Sequence, residues 1–90
     1  MNEKDINEVF EFSDKRVVDL VIQDVNLSEK EYAVIDSIKL RKRTVEKTAE
    51  ILDISIRNTY RIKEIAIKKI ASAWQYNTIV NLILNSRRVV

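Results

Sequence analysis

The chain contains no glycine, no proline, no cysteine and no histidine. Without glycine or proline it lacks the usual punctuation of hairpins and strand ends, so an all-α chain with short polar turns is predicted. The missing cysteine excludes disulfides, thiolate nucleophiles and cysteine metal ligands, and the missing histidine removes the commonest general base and zinc ligand. No base, nucleophile or metal constellation can be assembled from what remains, so neither an enzyme nor a cofactor is expected. No apolar run approaches the roughly 20 residues of a membrane span, and no charged-then-apolar leader opens the chain. A cytoplasmic protein without a membrane partner is therefore expected.

What is present is 90 residues with 46% hydrophobic content. That is one small domain whose core is marginal unless a partner shares it, which points to oligomerisation. The net charge of +2 hides an asymmetry. Residues 1–31 carry nine acidic against four basic side chains, whereas residues 32–90 carry five acidic against twelve basic. A polyanion-binding surface leaves such a footprint in the second part.

Residues 5–25 place Ile6, Val9, Phe10, Val17, Leu20, Val21 and Val25 at helical spacing, as one long helix or two broken near Ser13, where Ser13 or Asp14 can cap the second. A strand is the competing reading only for Val17 to Ile22. The segment either packs as core or contacts another protein. Ser28 followed by Glu31 is a capping box, and Leu27 can staple against Tyr32, so a helix is predicted from about Glu29 to near Leu40. The basic cluster Arg41, Lys42 and Arg43 follows, just before Thr44 and the N–H groups of the next helix, where phosphate can be held. The alternative reading of that cluster is a solvated loop.

Thr44 can cap a short helix from about Val45 to Leu52. Asp53 tolerates a left-handed backbone, Ile54 can plug the core, and Ser55 is a good N-cap for a second helix starting at Ile56. Ala49, four residues before Asp53, leaves room for two helices to cross steeply. The segment 44–70 thus reads as a helix, a three-residue turn and a helix.

Ala49, Leu52, Ile54 and Ser55 resemble the helix-turn-helix of bacterial sigma factor region 4. The continuation NTYRIKEIAIKKIA, Asn58 to Ala71, is similar to the phage and prophage late-gene transcription regulators of the ArpU and RinA kind. The family's turn glycine is Asp53 here. The resemblance covers residue 27 to about residue 74. It implies a small sigma region 4-like domain that binds double-stranded DNA and regulates transcription.

On the second helix, Ile56, Thr59, Ile62, Ala66 and Ile70 are expected to face or border the core. Arg57, Asn58, Tyr60, Arg61 and Glu64 are then left outward as base-contacting candidates. Arg suits guanine, Asn suits adenine, and Tyr suits a thymine methyl or a phosphate. Glu64 either accepts from cytosine or pairs with Lys68. An ordinary polar helix face is the alternative for the whole set. Arg41, Lys42, Arg43, Thr44, Ser55, Lys63, Lys68 and Lys69 are the phosphate-contacting candidates.

Residues 72–90 are expected to supply a last helix whose apolar surface spreads nearly all round it, with Gln75, Tyr76 and Asn77 marking a bend between it and the recognition helix. Either the N-terminal segment or a second copy of the chain covers that surface. A homodimer is favoured, since this motif class commonly reads two-fold operators, with Trp74, Ile79, Leu82 and Ile83 at the oligomer interface. Trp74 is then a core or interface anchor rather than a stacking platform for bases. Arg87 and Arg88 either reach phosphates or keep the tail in water. The expected organisation is a single helical domain: an acidic helical segment (1–26), a helix-turn-helix core (27–71) and an oligomerisation helix (72–90). Two other classes stay open. One is a small terminase-like DNA-packaging subunit, which a ring of eight or more copies would favour. The other is a protein-interaction module that binds RNA polymerase or another regulator, which would survive charge reversal at Arg57 and Arg61.

Overall fold

The computed structural model describes residues 1–88. They form six helices, α1 (Glu3–Phe12), α2 (Lys15–Ile22), α3 (Glu29–Ile35), α4 (Val45–Leu52), α5 (Ile56–Trp74) and α6 (Thr78–Arg88), and no strand occurs among the described residues. The chain is all-α, including the Val17 to Ile22 stretch, which lies in α2. A π-helical turn, Asp36–Leu40, continues α3. The chain divides into two compact units, one of residues 27–68 and one of residues 1–26 together with the chain from Lys69 onward. Helix α5 contributes its first thirteen residues to the former and its last six to the latter.

In the discontinuous unit, local chemistry sets the helix ends. Asn2 caps α1 through a capping box with Asp5, and the carboxylate of Asp14 accepts the Val17 N–H at 3.0 Å to start α2. Ser13 therefore ends one helix and Asp14 begins the next, because a side-chain acceptor there satisfies an N–H that no helical carbonyl can reach. The core gathers Ile6, Val9, Phe10, Val18, Val21, Ile22 and Val25 with Ile70, Trp74, Val80 and Leu84.

Trp74 is its anchor. The ring is fully buried, lies 5.5 Å from Phe10 with a 45° tilt, and its indole N–H donates to the Val21 carbonyl at 2.9 Å. That carbonyl belongs to the last turn of α2, where helical carbonyls lack an intrahelical donor. The tryptophan thus supplies apolar area and a cap together. Of the two places expected for Trp74, core or oligomer interface, it takes the core of its own unit, where α1 and α2 provide the cover. Arg87 stacks its guanidinium 3.3 Å from the centre of the Phe12 ring, so it is engaged within the chain. The side chain of Arg88 lies outside the described residues.

In the unit of residues 27–68, the Ser28–Glu31 capping box is formed: the Glu31 N–H donates to Ser28 Oγ at 3.1 Å and the Ser28 N–H to Glu31 Oε1 at 2.8 Å. At the other end of the same helix, the Arg41 N–H donates to the Asp36 carbonyl at 3.0 Å, five residues back. This wider turn admits one extra residue. Ser37 lies inside it, buried, and shares a 2.8 Å hydrogen bond with the fully buried Thr48 hydroxyl of α4. Val34, Ile35, Ala49, Ile62, Ala66 and Ile67 supply the apolar burial.

Candidate nucleic-acid interface

The geometry of 44–68 follows from three local decisions of the backbone. Thr44 accepts the Lys47 N–H on its Oγ1 at 3.0 Å and starts α4. Asp53 then takes φ 55°, ψ 48°, the left-handed conformation that ends helices and that Asp tolerates better than most non-glycine residues. With Asp53 so placed, the Ile54 N–H reaches back to the Ala49 carbonyl at 3.0 Å and the Asp53 N–H to that of Glu50 at 3.3 Å. These two bonds are the Schellman pattern, which satisfies orphan carbonyls and turns the chain sharply. Ser55 accepts the Asn58 N–H on its Oγ at 3.0 Å and starts α5. Ala49 is buried at this corner. Helix, turn and helix therefore follow one another at the residues where the sequence places them, and Asp53 does what glycine does elsewhere.

Along α5, Thr59, Ile62 and Ala66 are buried, whereas Arg57, Tyr60, Arg61, Glu64 and Lys68 are exposed and share one stripe at three- and four-residue spacing. Asn58 and Lys63 are half-buried. Asn58 does not project alone: its Oδ1 accepts from Arg61 Nε at 3.2 Å and from Arg61 Nη2 at 2.9 Å. No ion pair between Glu64 and Lys68 occurs among the described residues. Ile56 departs from expectation, since it is 48% exposed and stands one turn before Tyr60, 47% exposed, on the outward face. Its phase on the helix matches Thr59, but it is the first residue of α5.

The basic cluster is arranged in a less uniform way. Arg41 Nε donates to the Asp36 carboxylate at 2.9 Å, which neutralises part of its charge. Lys42 is exposed with φ 57°, a left-handed backbone without glycine. Arg43 is half-buried, and its N–H donates to the Ser37 carbonyl at 3.0 Å. Thr44 and Ser55 spend their hydroxyls on capping, so each presents a helix start rather than a spare side-chain donor. Lys63 and Lys68 lie further along α5. Lys69 falls in the discontinuous unit, where its Nζ approaches the Asn26 carbonyl at 3.5 Å. Ten basic and seven acidic side chains lie in residues 27–68.

Of the expected interface residues on α6, Leu82 is 61% exposed and Ile79 is exposed beside it, while Ile83 is half-buried. Val80 and Leu84 turn inward. Among the described residues no group of three or more acidic side chains is placed to hold a metal ion, and no helix is long and apolar enough to cross a membrane. Compared with known protein families, with curated proteins and with solved structures, the chain matches none.

Proposed function

We propose that this protein is a sequence-specific DNA-binding transcription regulator, of phage or prophage genes, that reads the major groove with the first half of α5. The observation that carries the reading is the turn at Asp53 together with the stripe it presents. A left-handed residue closing α4 is followed by a serine-capped α5 whose outward face holds Arg57, Tyr60, Arg61 and Glu64. A recognition helix enters the groove by its N-terminal turns, and these are base-reading side chains.

Phosphates on either side of the groove are met by Lys42, Arg43, the starts of α4 and α5, Lys63 and Lys68. The Arg41 charge is shared with Asp36, so its contribution is the smaller one. Two copies related by a two-fold axis read two half-sites, with Ile79 and Leu82 of α6 as the apolar surface available for pairing. Contact with RNA polymerase or another regulator would follow DNA binding and falls to surfaces outside this stripe.

The test is selection of bound duplexes from a random pool, followed by binding isotherms across a salt series with wild type, Arg57→Ala and Arg61→Ala. A defined site emerges, each variant loses about 1 to 3 kcal/mol on it, and log affinity falls linearly with log salt. Binding that shows no sequence preference at low salt, or that the variants leave intact, sinks the proposal and favours a protein partner.

A further inference from the structure

We propose that Asn58 is a positioning residue that presents Arg61 to guanine, and that it does not read a base itself. The inference rests on the DNA-binding reading above and assigns a division of labour within its stripe. Arg61 points two of its five N–H groups, those on Nε and Nη2, at the single Oδ1 of Asn58, at 3.2 and 2.9 Å. The side edge of the guanidinium is thereby occupied. The end edge, formed by Nη1 and the remaining Nη2 hydrogen, stays open and is a matched pair for O6 and N7 of guanine.

The same contact disqualifies Asn58 as an adenine reader. A bidentate adenine contact needs the amide oxygen to accept from N6 and the amide nitrogen to donate to N7. The oxygen is already taken by Arg61, and Asn58 is half-buried where Arg61 is exposed. Holding a long side chain in one conformation before binding also removes part of the ordering cost that a free arginine meets on the DNA. Arg57, one turn earlier on the stripe, has no such side-chain partner among the described residues and serves as an internal contrast.

The experiment compares sites selected by wild type, Asn58→Ala and Arg61→Ala, then measures affinities for the single and paired variants on the wild-type site. Arg61→Ala abolishes a guanine preference at one base pair and weakens binding about tenfold to a hundredfold. Asn58→Ala relaxes the same base pair and costs about threefold to tenfold. In the Arg61→Ala or Arg61→Lys background its cost falls to about twofold or less, whereas in the Arg57→Ala background it persists in full. Helicity by circular dichroism confirms that each variant is folded, which alanine in a helix favours. If Asn58→Ala relaxes a different base pair, or its cost adds fully to that of Arg61→Ala, the positioning role is overturned while DNA recognition stands. If wild type selects no site at all, the DNA-binding reading fails and this assignment falls with it.

Discussion

The buried hydroxyl pair that joins the π-helical turn to α4 allows a quantitative test of how residues 27–68 are held together. Ser37 and Thr48 are both buried and lie 2.8 Å apart, so each satisfies the other away from water. Thr48→Val keeps the shape and strips the hydroxyl, leaving Ser37 Oγ without this partner. An orphaned buried hydroxyl costs about 1–3 kcal/mol, and the lower part of that range applies, because a helical serine can turn back to the carbonyl four residues earlier. The expected loss is about 1–2 kcal/mol for Thr48→Val, and a similar loss for Ser37→Ala. The double variant removes both partners together and is expected to lose no more than about 1 kcal/mol. Against a total of about 5–13 kcal/mol for 90 residues, these differences are measurable. Urea unfolding of all four proteins by far-ultraviolet circular dichroism, at matched slopes, gives the coupling energy directly. Strict additivity of the two single losses would refute the reasoning, since it would mean that the hydroxyls do not depend on each other.

Three further outcomes follow from the geometry. Trp74→Phe, which keeps a ring but removes the donor to Val21 and opens space in the discontinuous core, lowers stability by about 2–4 kcal/mol in the same unfolding assay; an unchanged midpoint would contradict it. Lys42→Gly relieves a left-handed lysine and raises stability by about 1 kcal/mol. The same change lowers the salt slope of DNA binding by about 1, so that stability and affinity move in opposite directions; a drop in both would count against the backbone account. Replacing thymines of the selected site by uracil, one at a time, weakens wild-type binding about threefold to tenfold at one position by removing a methyl group. That loss disappears in Ile56→Ala, and its persistence there would assign the methyl contact to another side chain, such as Tyr60.

Much of the backbone was legible because its causes are local. The Ser28–Glu31 capping box, the start of α4 at Thr44, the turn at Asp53 and the start of α5 at Ser55 each depend on residues within one turn of each other. The π-helical turn was not legible, since an i to i+5 bond wins only when a distant group rewards it, here Thr48 for Ser37. Ile56 misled because helical phase tells which side a residue is on but not how far along the helix its neighbours reach. Trp74 was legible as an anchor, but not the choice between core and interface: an apolar surface declares that it must be covered, and only the fold says by what. In the candidate site, residue types and spacing identified the stripe, but the reach of Arg61 back to Asn58 depends on rotamers that spacing does not fix.

The discontinuity of the Trp74 unit also governs when it can form. Its defining bonds join residues 53 apart in sequence, Trp74 to Val21 and Asn77 to Asp24, and its Arg87–Phe12 stack spans still more. Residues 27–68 close over short loops, so their contacts can be made while the chain is still being synthesised and cost little closure entropy. Helices α1 and α2 have no such option. Made first, they must wait for the end of α5 and for α6 before their apolar faces are covered, and during that interval they are the natural place for a chaperone to act.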